Sequence, residues 1–367
     1  MSASDGELFR SDDMTRRRRG VAFTPMETRR DVMACAARLA DELGYELIAV
    51  PEGWGLDSSL MLTEIALTTT NIHLVSGILS VWGRSPATLA MTAATLDQIS
   101  TGRYVLGLGA STRELAEGFH DVPFAHPADR LAQTVTAVRA LLAGQPPRLR
   151  HSTNVRPLRL ALSPAPAVPI WVGALGPRTL KVAAELADGW FPALVARDRL
   201  RRLVDQMAGL RAEDGGLRPP ITVAAGPLTV ADDDAGKARD IAAGCLAWYV
   251  CAMGDGYARS LTAQGYGAEV DAIRATNPRP SPRSGQVPAE AEALLDQLAA
   301  IGTAGQVRAE LEGWDDVADI VVIGLAPGIP WESIEATLRA AAPHAPTTAG
   351  MRLLGSELTP TPSSLES

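Results

Sequence analysis

The stretch from Asn71 to Ser111 limits the fold more than any other part of the chain. His73–Leu79 is an apolar run, Ser85-Pro86 joins a capping hydroxyl to a first-turn proline, apolar residues recur at helical spacing to Ile99, and Tyr104–Gly109 is a second apolar run. The pattern predicts a βαβ unit with parallel, neighbouring strands. Gly77 falls late in the first strand, where a missing Cβ lets the backbone bulge or a flat ligand approach. The second strand ends in Gly107-Leu108-Gly109-Ala110-Ser111, small residues that would leave backbone N–H groups open to an anion or a cofactor edge. Parallel α/β folds bind ligands at the C-terminal ends of their strands.

Strands and helices alternate along the rest of the chain. Val21–Thr24 is a predicted strand, and Thr28-Arg29-Arg30-Asp31 opens a helix with a capping-box-like pattern that Gly44 closes. Leu47–Pro51 follows as a strand ending in Glu52-Gly53-Trp54, then a helix over Leu60–Thr70. After the central unit come a helix Ala128–Leu142, an irregular Gly144–Ala167, and a strand with a glycine turn, Pro169 to Arg178, leading into helix Thr179–Ala187. That turn aims a helix N-terminus at the strand ends, where an anionic group is favoured. Helix Arg197–Ala212, strand Ile221–Val230 and a helix from Asp233 to about Met253 continue the rhythm. Gly254–Pro288 breaks it, and Ala289–Ile301 (helix), Asp319–Gly324 (strand) and Trp331–Ala341 (helix) complete the chain. Alternation without a composition break predicts a parallel-sheet α/β fold; periodicity alone leaves a doubly wound sheet and a barrel both open.

Composition removes several function classes. A net charge of −8 argues against non-specific nucleic-acid binding, and Arg16-Arg17-Arg18-Arg19 reads as a solvated cluster on an N-terminal tail. No apolar run approaches the roughly 20 residues of a membrane span. Cys35, Cys245 and Cys251 lack paired spacing and fit buried, reduced thiols, hence a cytoplasmic protein. The 5 histidines have no metal-ligand spacing, so no metal is expected.

Three runs carry a family likeness: Arg84-Ser85-Pro86-Ala87-Thr88-Leu89-Ala90, Thr95-Leu96-Asp97-Gln98-Ile99-Ser100-Thr101-Gly102-Arg103, and Gly107-Leu108-Gly109. Together they resemble the luciferase-like monooxygenase superfamily, and within it the branch that uses the deazaflavin coenzyme F420, including methylene-tetrahydromethanopterin reductase. The resemblance spans most of residues 20–341 and implies a (β/α)₈ TIM barrel over 20–342, with an insertion at about 254–288 over the C-terminal mouth, a flexible N-terminal tail 1–19 and a flexible C-terminal tail 343–367. Barrels of this kind run from about 200 to over 400 residues.

The resemblance also implies a site. The cofactor, coenzyme F420 or alternatively FMN, is expected against Glu52, Gly77, Ile78, Ser80, Gly109, Ala110, Ser111 and the turn Ala174, Leu175, Gly176, Pro177, Arg178. Relatives carry a non-prolyl cis peptide at the Gly77-Ile78 position, forming a bulge behind the ring. Substrate is expected at Thr24, Trp82 and Thr112, with Glu52 and Trp54 as catalytic candidates. Glu52 beside an indole could donate a proton, or could hydrogen-bond cofactor or backbone without transferring one. Several deazaflavin-dependent dehydrogenases have an Asp-His pair at the end of strand two and a Glu after strand four; here those places hold Glu52-Gly53 and Thr112. The departure points away from alcohol oxidation and toward a reductase that delivers hydride to a C=C, C=N or C=O bond of a small-molecule or peptide substrate. The alternatives are a two-component monooxygenase using reduced FMN and a non-catalytic barrel. The expected partners are a second copy in a homodimer and an enzyme supplying reduced F420.

Overall fold

In a computed structural model, residues 17–148, 154–162, 165, 167–212, 218–282 and 284–343 are described. Residues 1–16, Arg16 among them, and 344–367 lie outside the described residues, so of the expected tails 1–19 and 343–367 only Arg17, Arg18, Arg19 and Pro343 are described. The first strand starts earlier than its apolar core suggests, at Arg19–Ala22 (β1), because Arg19 pairs with Asp315 through both guanidinium nitrogens and is only 3% exposed. Arg17 and Arg18 bind Glu312 and Glu46, at 2.8 Å and 3.0 Å, so the described part of the arginine cluster is ion-paired along the base of the barrel.

Arg30–Glu42 (α1) ends where Gly44 takes a φ of 78°, which glycine adopts without a Cβ penalty. The capping box expected at Thr28–Asp31 does not form: Arg29 is the cap residue, and its guanidinium has only donors, so it cannot accept from the first-turn N–H groups. Leu47–Val50 (β2), Ser58–Thr68 (α2), His73–Ser76 (β3), Leu79–Ser80 (β4), Pro86–Ser100 (α3) and Tyr104–Gly109 (β5) follow. Asp57 caps α2, and Ser85 caps α3 by accepting from Thr88 N at 3.1 Å. Next come Arg113–Gly118 (α4), Pro127–Leu142 (α5), Ile170–Gly173 (β6), Pro177–Leu186 (α6), Gly189–Trp190 (β7) and Arg197–Ala212 (α7).

The strand expected over Ile221–Val230 is two strands, Thr222–Ala225 (β8) and Leu228–Ala231 (β9). Gly226 lies so close to the Val322 backbone that a Cβ there would collide with it, and Pro227 donates no N–H, so the chain bends out of the ring between them. Ala235–Ala252 (α8) is followed by Asp255–Ala263 (α9) and Gly267–Thr276 (α10), two short helices where an irregular segment was expected; both pack on α8. Glu292–Leu298 (α11) ends before the expected Ile301, because Ala299–Gly302 (β10) pairs in parallel with β9. Ala304–Asp315 (α12), opened by a Thr303–Gln306 capping box, Ile320–Gly324 (β11) and Trp331–Ala340 (α13) complete the described chain.

Strands β1, β2, β3, β5, β6, β7, β8 and β11 pair in that order, and β11 pairs back to β1, closing a ring in which every pairing is parallel. This is a TIM barrel, with β9, β10 and helices α8 to α11 added toward the C-terminal part. Leu47, Ala49, Val75, Val105, Trp171, Ala224, Ile320 and Val322 fill its interior, while the larger core lies between the strands and the surrounding helices. No described helix is long and apolar enough to cross a membrane.

Candidate functional site

The central irregularity lies between β3 and β4, which are one strand interrupted by Gly77-Ile78, joined by a cis peptide bond. β3 pairs Val75 with Val105 and β4 pairs Leu79 with Leu108, so residues 76, 77 and 78 stand opposite only 106 and 107. One extra residue on one strand is a β-bulge. Ser76 repairs the broken ladder: its Oγ accepts from Gly107 N at 2.8 Å and Tyr104 Oη at 3.1 Å, and donates to Gly107 O at 3.1 Å. Burial pushes the Tyr104 phenol well up, so it stays protonated and acts as this donor.

The bulge explains three glycines. The Ile78 side chain occupies the room they leave: a Cβ on Gly109 would stand 2.5 Å from Ile78 Cδ1, and one on Gly173 would stand 3.2 Å from Ile78 Cγ2. A Cβ on Gly107 would strike the Ser76 carbonyl. Gly109 is therefore a packing partner of the bulge, buried in β5. Phe191, just after β7, closes the other side; a Cβ on Gly77 would lie 3.0 Å from its Cε1. Gly77 and Ile78 themselves are partly exposed.

Around the bulge, side-chain bonds fix the loops. Glu52, after β2, is ion-paired with Arg84 from the loop after β4, and Arg84 also binds Asp57 at 2.8 Å. Burial lowers the guanidinium pKa, and the two carboxylates outweigh it to give a net rise, so Arg84 is a fixed cation joining two loops. Trp82 is buried, with its indole N–H on the Ala110 carbonyl at 2.7 Å and its ring 5.4 Å from Phe124. Trp82 therefore supports the loop after β5. Ser80 is buried too and accepts from Trp82 N. Glu27, after β1, binds Arg29 at 2.6 Å and accepts from Gly328 N, after β11, at 3.1 Å. Burial raises its pKa, but the bonds from Arg29 and Gly328 outweigh this and hold it below the ordinary range. Glu27 is a component that sequence reasoning missed, since its partner on Gly328 lies 301 residues away.

Trp54, 47% exposed, and Thr112 meet in a cavity of about 370 Å³ whose other walls are α4 with Phe119 and the end of α8 at Met253. Thr112 also caps α4, accepting from Leu115 N. Ser111 is partly exposed with a φ of 57°. Thr24 is 4% exposed, and its Oγ1 finds no partner among the described residues. A buried hydroxyl without a partner is costly unless a ligand completes it.

The turn after β6 divides in two. Ala174 is buried and its carbonyl accepts from Trp190 Nε1 at 3.0 Å, while Leu175 is partly buried. Gly176, Pro177 and Arg178 are exposed at the start of α6, and Arg178 reaches Asp129 at 3.1 Å. Gly176 N donates to Thr179 Oγ1, so that donor is already occupied. Among the described residues no three His, Cys, Asp or Glu side chains cluster as a metal would need.

The luciferase-like monooxygenase family model matches residues 14–318, and the chain belongs to that family. A Mycobacterium tuberculosis protein provisionally named a coenzyme F420-dependent oxidoreductase is 28% identical over 308 residues, 75% of this chain and 85% of its own. The coenzyme F420-dependent tetrahydromethanopterin reductase of Methanopyrus kandleri superposes with a TM-score of 0.74 at 22% identity, over 90% of this chain and 99% of its own. The oxygenating constituent of 3,6-diketocamphane monooxygenase from Pseudomonas putida, in complex with FMN, gives 0.63 at 18% identity, over 90% and 98%. These two structures share the fold with this chain.

Proposed function

We propose that this luciferase-like barrel is a coenzyme F420-dependent reductase acting on an electron-poor C=C, C=N or C=O bond of a small organic molecule. The observation that carries the reading is the Gly77-Ile78 bulge, a partly exposed backbone ledge backed by glycines and flanked by Phe191 at the strand ends. The residues present fit a flat ring there: the ledge has no side chain at Gly77, and the unpartnered Thr24 hydroxyl lies at the end of β1. The named F420-dependent relatives tip the choice of ring toward the deazaflavin over FMN.

The reduced deazaflavin, when bound, supplies a hydride; the remaining requirements fall on the chain. Gly77 and Ile78 back the ring. The exposed Gly176–Arg178 turn holds the anionic tail through the α6 N-terminus and Arg178, which exchanges Asp129 for the ligand. Thr24 Oγ1, covered in this structure, reaches a polar atom at or conjugated to the reacting bond after a side-chain rotation and orients it. Trp54, Thr112 and Phe119 surround the rest of the substrate and exclude water. Glu52, held by Arg84, serves as a loop anchor, and the balancing proton comes from solvent at the mouth. The free thiols Cys35, Cys245 and Cys251 support a cytoplasmic setting, where a separate enzyme supplies reduced cofactor. Exposed Leu60, Leu67 and Met91 on α2 and α3 support a homodimer.

Titration of the purified protein with oxidised F420 and, separately, with FMN, followed by cofactor fluorescence, tests the reading. The expected result is saturable quenching by F420 with much weaker FMN binding. Preference for FMN overturns it in favour of an oxygen-activating monooxygenase, and binding of neither favours a non-catalytic barrel.

A further inference from the structure

The cavity between Trp54 and Phe119 carries an unbalanced charge. Three segments build it: the loop after β2, helix α4, and the end of α8. Its volume, about 370 Å³, lies within the range of small-molecule pockets, about 300–1,000 Å³. Trp54 and Phe119 are 47% and 58% exposed, so two aromatic surfaces on one cavity are left without protein cover. Leu115 and Met253 add apolar wall.

Among these walls is Glu114. The neighbouring carboxylates are engaged: Glu52 and Asp57 by Arg84, Glu117 by Arg113 and by Phe124 N, and Asp255 by Arg274. Glu114 has no ion-pair or hydrogen-bond partner among the described residues. It lies against Gly254, where a Cβ would stand 3.0 Å from the carboxyl carbon, so the missing Cβ at that glycine keeps the approach open. No described cation shares the cavity lining with it. Exposed aromatic faces attract cations, and a carboxylate beside them adds a second attraction for the same group.

We propose that this cavity binds an ammonium-bearing, largely apolar part of the substrate, with the cation between Glu114 and the faces of Trp54 and Phe119. The proposal rests on the mouth being the active site and is independent of which cofactor serves it. Glu114 and the two aromatic rings select the ligand and take no part in the reaction itself.

Calorimetric titration of the full chain with tryptamine and with indole-3-propionate, which share one ring system and carry opposite charges, provides the test. The net charge of −8 favours any amine, so the decisive comparison is between variants. Wild type should bind tryptamine about threefold to fivefold more tightly than the acid, the size expected of exposed ion pairs. Glu114→Gln should remove most of that preference, Glu117→Gln on the same helix should keep it, and Trp54→Leu should weaken both probes. Equal affinity for the two probes, binding of neither, or a preference unchanged by Glu114→Gln overturns the proposal. The F420 titration is a separate readout: cofactor binding without amine selectivity defeats this inference alone, and amine selectivity without cofactor binding defeats the reductase reading alone.

Discussion

Ile78 and Gly109 are complementary: the isoleucine side chain fills the volume that a Cβ on the glycine would need, with Cδ1 2.5 Å and Cγ1 2.9 Å from that point. Both atoms lie inside normal carbon contact distance, so the two groups cannot coexist without movement of the bulge or of β5. Gly109→Ala should therefore cost about 1–3 kcal/mol, as overpacked cores do. Thermal unfolding reads the loss, and fluorescence titration should show weaker cofactor binding, because Ile78 is half of the ledge. Adding Ile78→Val should return part of the stability. A Gly109→Ala protein as stable as wild type would show that the fit is loose and remove this account of the glycine.

Glu27 sets an acid limit. Its folded-state pKa lies below the ordinary 4.5, because the bonds from Arg29 and Gly328 outweigh its burial. The unfolded chain takes up the proton first, so the stabilisation is complete above about pH 4.5 and is lost as pH falls through the folded-state value. Glu27→Gln should destabilise at neutral pH by about 2–4 kcal/mol, because it leaves Arg29 12% exposed and without its carboxylate. The deficit should shrink below pH 4.5. Urea unfolding at pH 7 and pH 4 measures both, and a deficit equal at the two values would place the origin outside this ion pair.

The parts of the fold that were legible are those whose cause is local. Ser85-Pro86 starts α3 through its own hydroxyl and ring, the apolar spacing of Arg197–Ala212 defines α7, and Tyr104–Gly109 is β5 as expected. The parts that were not legible depend on distant partners. Ala299–Gly302 continues a helical pattern yet becomes a strand because β9 offers it a parallel ladder. Helices α9 and α10 occupy a glycine-rich segment because α8 gives their apolar faces a surface. At the site, Gly77-Ile78 was readable through its family resemblance. The bonds of Trp82 to Ala110 and of Glu52 to Arg84 were not, because nothing in a linear pattern tells which loop a long side chain will cross to. Phe191 had a local signal, an aromatic directly after a short strand, but only the closed barrel brings it to Gly77.

Leu60 and Leu67 are each 72% exposed and lie seven residues apart on one side of α2; Met91 on neighbouring α3 is 56% exposed. Large apolar side chains grouped on adjacent helices suit a second copy of the chain. Leu67→Glu should leave monomer stability within about 0.5 kcal/mol, as exposed substitutions do. It should also move the mass measured by light scattering from dimer to monomer. A wild-type protein monomeric at every concentration removes the dimer, and a dimer indifferent to Leu67→Glu places its interface elsewhere.

Arg84 should matter more for substrate than for cofactor. Its guanidinium holds Glu52 and Asp57, and both groups lie in the loop that carries Trp54. With Arg84 15% exposed and Glu52 10% exposed, Arg84→Met leaves a largely buried carboxylate without its cation, a change that costs about 2–4 kcal/mol. The Gly77-Ile78 ledge is held separately by Ser76, Tyr104 and the glycines, so the cofactor should still bind within about threefold of wild type, a difference of about 0.6 kcal/mol. The Trp54 wall, by contrast, loses its anchor, so KM for an accepted substrate should rise while kcat changes less, the pattern expected when binding common to ground and transition states is lost. Arg84→Lys keeps the charge but gives up the two-carboxylate geometry and should fall between. Equal losses in kcat and KM terms for Arg84→Met, or loss of cofactor binding, would mean that the pair acts on the reacting centre itself, and Glu52 would return as the proton donor.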